Sequence, residues 1–184
     1  VSIWTTAGRL RLAYRCGDKQ RDLLVYERGE SDLVYRDKKF YLFVTVDVPD
    51  TAERKVLGWL GVDVGIVNIA TTSDGQNFSG SHLNSLRRRA FRLRRKLQKK
   101  GTKSAKRLLR KRCIKETRFS KHVNHEISKR IVAAAERTDR GIAMENLQGI
   151  RGRVRARRHQ RRVLHSWAFG DLQNKIDYKA RRAG

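Results

Sequence analysis

Proline occurs once in this 184-residue chain, at Pro49, and cysteine twice, at Cys16 and Cys113. A single proline leaves no room for a proline-rich spacer. The two cysteines lie far apart and neither has a Cys-x-x-Cys partner, so they supply neither a zinc site nor an expected structural disulfide in a cytosolic setting. Apolar runs are short, and none approaches the ~18 residues that a membrane-spanning helix requires. The opening Val1-Ser2-Ile3-Trp4 has neither a basic region nor a cleavage site of a secretory signal. It also lacks an initiator methionine, so the expectation is a piece of a longer protein. Acidic residues are scarce: 18 Asp and Glu stand against 44 Lys and Arg.

What is present is positive charge. A formal net charge of +26 and a pI near 11.2 point to a polyanionic partner, bound by neutralising phosphates and releasing counterions. A disordered basic tail is the alternative. Against it, 39% of the residues are hydrophobic and fall in periodic blocks, which implies a core.

Residues 1–50 read as strands. Arg9 to Tyr14 alternates apolar and polar, and Leu33 to Arg36, a turn at Asp37-Lys38-Lys39, and Phe40 to Val48 read as a hairpin. The polar stretch 51–55 is the best boundary, giving domains over 1–54 and 55–184. Three more strands follow over 56–79. The first ends near Val64, the second covers Asn68 to Thr72, and Asp74-Gly75 turns into the third, beginning at Gln76.

From Ser81 the period becomes helical. Leu86, Ala90, Leu93 and Leu97 form a stripe; Gly101-Thr102 interrupts it; Ala105, Leu108, Leu109 and Cys113 resume it. No acid occurs from Gly75 through Lys115, and 15 Lys or Arg lie between Arg87 and Arg112. Like charges at i,i+4 destabilise an isolated helix, and solubility alone is served by mixed signs. Phosphate contact is therefore expected from Arg87, Arg88, Arg92, Arg95, Lys99, Lys103, Lys106 and Arg110. A second helix is expected over roughly 119–138, with Val123, Ile127, Ile131, Ala134 and Ala135 as its apolar face. Ile142 to Leu147 then reads as a buried strand. Residues 151–162 hold seven Arg and no acid and read as a loop that adds Arg151, Arg153, Arg155, Arg157 and Arg158 to the phosphate contacts. A last helix starts near Leu164, with Trp167, Leu172 and Ile176 along one face.

Two carboxylates stand apart from this basic background. Asp63 lies in the apolar run Leu57 to Gly65, and Glu145 lies in Gly141 to Leu147. A carboxylate is costly to bury unless it is paired or holds a metal. Strand–helix–strand order allows the two strands to be neighbours, with both carboxylates at one edge of the sheet. Phosphodiester cleavage by metal ions uses converging carboxylates, and hard oxygen ligands suit Mg²⁺ or Mn²⁺. A strand Asp before a Gly-containing turn, with a Glu on a neighbouring strand, is the arrangement of RNase H-like nucleases. His122 and His125 lack a third ligand and read as packing or phosphate-contact residues. Ser128 has no evident general base, and Trp59 and Trp167 read as core residues.

The motifs resemble those of one family. Gly61-Val62-Asp63-Val64-Gly65-Ile66-Val67-Asn68-Ile69-Ala70 resembles the first RuvC motif of TnpB-type proteins, transposon-encoded RNA-guided DNA endonucleases related to type V CRISPR nucleases. Asn124 to Val132 resembles their helix before the second motif, Ile142 to Leu147 the second motif, and Trp167 to Leu172 with Tyr178-Lys179-Ala180 the segment leading to the third. The resemblance implies an α/β fold: an RNase H-like (RuvC) mixed sheet with an inserted basic helical hairpin, preceded by part of a wedge-type β-barrel. It implies metal-ligand and catalytic roles for Asp63 and Glu145, DNA and guide RNA as partners, Mg²⁺ (or Mn²⁺) as cofactor, no membrane, and a cytoplasmic, nucleoid-associated location in a prokaryote. The family's four-cysteine zinc ribbon and third catalytic Asp would follow Gly184, so no zinc site is expected in this segment. Neither Asp171 nor Asp177 matches the third motif. The expectation is a nucleic-acid-binding fragment of an RNA-guided, Mg-dependent endonuclease associated with transposition, cutting poorly by itself. The rival readings are a non-catalytic nucleic-acid-binding transposon remnant and a ribosomal-type basic protein.

Overall fold

The computed structural model describes residues 1–49, 51–147 and 169–184. The chain forms two units, Val1–Asp50 and Thr51–Gly184. In the first, β1 (Ser2–Thr5) pairs antiparallel with β2 (Gly8–Arg11), and β3 (Glu27–Arg36) with β4 (Lys39–Val46). Arg36 pairs with Lys39, which leaves a two-residue loop. Asp37 and Lys38 take φ of 49° and 62°, the positive values that match a tight turn to the right-handed twist of its strands.

Not all of residues 1–50 is strand. Asp18–Leu23 forms a short helix, α1, followed by a 3-10 turn over Leu24–Tyr26. The alternation of Arg9 to Tyr14 ends as strand at Arg11, with Leu12 still bonded to the main chain of Val1. No described residue of this unit is buried, and Trp4, Val25 and Phe40 are among its exposed apolar side chains.

The second unit is built on a four-stranded mixed sheet: β5 (Gly58–Asp63), β6 (Asn68–Thr72), β7 (Asn77–Ser79) and β8 (Arg140–Met144), in the order β7-β6-β5-β8. β5 and β8 are parallel; the other pairs are antiparallel. Two helices, α2 (Ser81–Lys100) and α3 (Lys103–Arg137), connect β7 to β8, and α4 (Phe169–Ala183) packs on α3. The core joins Leu60, Val62, Ile69, Ala70 and Phe78 of the sheet to Ile127, Ile131 and Ala135 of α3 and to Leu172 and Ile176 of α4. A register shift between Asn68 and Ala70 accompanies two consecutive inward residues, Ile69 and Ala70, in place of strict alternation.

Three sequence expectations are revised. The helix resumed after Gly101 and the helix expected over 119–138 are one continuous α3 of 35 residues, roughly 52 Å long. Nothing between Cys113 and Phe119 breaks it. Thr117 bonds back to the Cys113 carbonyl at 3.0 Å, and Glu116 meets Arg94 of α2 at 3.2 Å. The strand expected over 142–147 is Arg140–Met144 and only half buried. Trp59 is not a core residue: it is 66% exposed. Leu60 and Val62 take the inward side of β5, so Trp59, Gly61 and Asp63 take the other. Trp167 and the start of the last helix near Leu164 lie outside the described residues.

The stretch 51–55, polar enough to suggest a hinge, is bonded into the second unit. Thr51 Oγ1 donates to the Arg182 carbonyl at 3.0 Å, and the Arg54 amide to that of Gly184 at 2.8 Å.

Candidate functional site

Asp63 closes β5, and Glu145 is the first residue past β8. The parallel register runs from Gly58↔Arg140 to Val62↔Met144. Asp63 and Glu145 are the next residues after that last pair, at the carboxyl ends of two neighbouring parallel strands. Residues level across a parallel pair share a face. Both are exposed. The apolar run around Asp63 is therefore one-sided: its neighbours point into the core while the carboxylate stays in solvent, and no burial cost has to be offset.

The same row continues across the sheet. Asp63 is level with Thr71 on β6, and Thr71 with Asn77 on β7. Thr71 Oγ1 donates to Asn77 Oδ1 at 2.9 Å. Sequence reasoning missed both residues; period-two counting from the β6–β7 turn is the only signal for them.

Each strand end is held through its main chain by a side-chain amide. Asn84 Nδ2, in the first turns of α2, donates to the Ile66 carbonyl at 2.9 Å, just after Asp63. Gln173 Nε2, near the start of α4, donates to the Glu145 carbonyl at 2.7 Å. At the other end of the sheet, Arg140 clamps Asp74 with two bonds, at 2.9 and 2.5 Å. The bond to Arg140 holds the Asp74 carboxyl below, and raises the Arg140 guanidinium above, their ordinary values.

Behind the sheet, α3 and α4 share a polar seam. Buried Asn124 donates to Asp171 Oδ2 at 2.7 Å, and Lys175 donates to Oδ1 at 2.5 Å. Burial raises the Asp171 pKa, but the bonds from Lys175 and Asn124 outweigh it and the net shift is downward. Lys179 donates to Ser128 Oγ at 2.7 Å and to the His125 carbonyl at 2.8 Å. Ser128 is fully buried, so this pair ties the helices together and is closed to substrate. Burial, then the charges of Lys175 and Lys179, hold His125 below the usual histidine range.

The helical hairpin carries the basic surface. Gly101 ends α2 at φ 66°, the left-handed conformation glycine adopts without a Cβ clash. Thr102 caps α3 by accepting the Ala105 amide at 3.2 Å. Arg88, Arg92, Arg95, Lys99, Lys103, Lys106 and Arg110 are all exposed. Arg87 is half buried: it donates to Ser120 of α3 at 3.3 Å, and burial lowers its pKa against the opposing pull of Glu116. Arg151, Arg153, Arg155, Arg157 and Arg158 lie outside the described residues. Charge is divided unevenly along the chain. Residues 1–50 hold nine of the basic and eight of the acidic residues, so nearly all the excess belongs to Thr51–Gly184.

Two exposed carboxylates at one end of the sheet offer the hard oxygens that Mg²⁺ or Mn²⁺ prefers, leaving further positions for water or phosphate. The donor set fits such an ion. Among the described residues no group of three or more His, Cys, Asp or Glu could hold a metal, and no helix is long and apolar enough to cross a membrane.

A mixed α/β sheet crossed by long helices is also the fold of a solved relative. The structure is similar to the Cas12f1 protein in the cryo-EM structure of the Cas12f1–sgRNA–target DNA complex, with a TM-score of 0.57 and 22% identity. The match covers 78% of this chain and 31% of that one. Residues 42–151, more than half of the chain, match the family model OrfB_IS605, described as probable transposase, and the chain belongs to that family as a TnpB-type protein. A comparison with curated proteins finds no match.

Proposed function

We propose that this chain is the nucleic-acid-binding part of an RNA-guided, Mg²⁺-dependent DNA endonuclease associated with transposition. The second unit is read as an RuvC-like nuclease domain and the first as part of a wedge-type β-barrel. What supports the reading is that Asp63 and Glu145 lie at the ends of neighbouring parallel strands, in a unit that also presents a basic helical hairpin. Asp63 and Glu145 would hold a divalent ion, which when bound would polarise a phosphoryl oxygen of a phosphodiester. The hairpin holds phosphates without reading bases, since its exposed face is Arg and Lys with few aromatics. Target sequence is read by pairing with the guide. A strand end with two carboxylates grips an ion weakly, because Mg²⁺ demands near-octahedral geometry and sheds water reluctantly, so cutting is slow.

The test is Mg²⁺-dependent cleavage of guide-matched DNA by the chain beside Asp63→Ala and Glu145→Ala, with binding measured in parallel. Cleavage, however slow, that disappears in both variants while binding persists supports the reading. Binding with no cleavage in any of the three favours the non-catalytic module instead.

A further inference from the structure

We propose that Gln173 is a positioning residue for the metal-binding end of the sheet, holding Glu145 in register beside Asp63; this rests on the metal-ligand reading of those carboxylates. Glu145 lies one residue beyond the last ladder pair, Val62↔Met144, at the edge of what the β5–β8 pairing holds. The Gln173 amide, at 2.7 Å from the Glu145 carbonyl, supplies a further constraint from a different element.

That element is itself immobilised. Leu172 and Ile176 flank Gln173 on α4 and are fully buried. Asp171, two residues before it, is bonded to Asn124 and Lys175, and Lys179 anchors the next turns on Ser128. A side-chain amide on a fixed helix passes that rigidity to one carbonyl. Partners of this kind, which orient a ligand without touching the metal, typically cost about 10- to 100-fold in metal affinity when removed. Gln173 bonds the main chain of Glu145 and not its carboxylate, so the lower end of that range, about 10-fold, is expected.

The test uses Gln173→Met, which keeps length and volume and removes the donor, with Gln173→Glu as a second variant that also cannot donate. Two readouts are taken: amide hydrogen exchange at residues 145–147, and Mn²⁺ affinity of the whole chain by titration. Faster exchange confined to 145–147, with Mn²⁺ affinity about 10-fold weaker and thermal unfolding little changed, supports the proposal. Unchanged exchange overturns it. Faster exchange with unchanged Mn²⁺ affinity, while Asp63→Ala abolishes binding, also overturns it and leaves the metal reading standing. Mn²⁺ binding indifferent to Asp63→Ala and Glu145→Ala overturns the metal reading, and the role of Gln173 falls with it.

Discussion

At the residue scale the pairing of Trp59 with Gly141 makes a sharp prediction. The two are level across β5 and β8, and a Cβ on Gly141 would lie 2.6 Å from Trp59 Cζ3. Gly141→Ala is expected to destabilise the chain by about 1–3 kcal/mol, the usual cost of overpacking. In a Trp59→Ala background the same change should be close to neutral, and a double-mutant cycle by denaturant unfolding measures the coupling. Equal costs in both backgrounds would show that the ring is not what confines residue 141. A second residue-scale prediction concerns acid. The Asp171 carboxyl titrates below its ordinary value of 3.8 in the folded chain. Its contribution is therefore present above the unfolded pKa and is lost as pH falls through the folded one. Asp171→Asn should flatten the fall in melting temperature below about pH 4, and an unchanged acid limb would remove Asp171 from the account.

At the element scale, the turn between α2 and α3 holds two like-charged helices side by side. Gly101 and Thr102 occupy the two positions where glycine and a hydroxyl residue are most effective. Thr102→Ala removes the bond to the Ala105 amide and should cost about 0.5–2 kcal/mol, read from urea denaturation. Loss of less than that would mean water caps the helix equally well. Ile131, in the last third of α3, is fully buried, and Ile131→Ala should cost about 2–5 kcal/mol by the same measurement. A smaller cost would place the sheet–helix core elsewhere.

At the scale of the whole molecule, charge decides behaviour. If about eight phosphates are neutralised, log K for duplex DNA should fall with log salt at a slope near −7, or near −6 for single strands. Replacing the exposed Arg92, Arg95 and Lys99 with alanine should flatten that slope by about one for each residue. Binding isotherms across a salt series give both numbers, and a flat dependence would exclude phosphate neutralisation as the source of affinity.

Much of this was legible in the chain itself. The change of period at Ser81, the break at Gly101-Thr102, the turn at Asp74-Gly75 and the apolar face of Ile127, Ile131 and Ala135 are local patterns, and local sterics and side-chain spacing decide them. The two apolar runs carrying Asp63 and Glu145 were visible for the same reason. The helix Asp18–Leu23 was not, because six residues without a buried face leave no periodic signal. Tertiary structure alone decided which side of β5 faces solvent, and so put Asp63 and Trp59 outside. It brought Glu145 to the same end of the sheet as Asp63, 82 positions away in sequence, through a parallel register that ends one residue short of both. It also turned Arg87 inward and brought Gln173 to Glu145. Sequence records which residues alternate and which repeat with a helical period. Contacts between distant segments depend on how the elements pack, and no spacing along the chain encodes that.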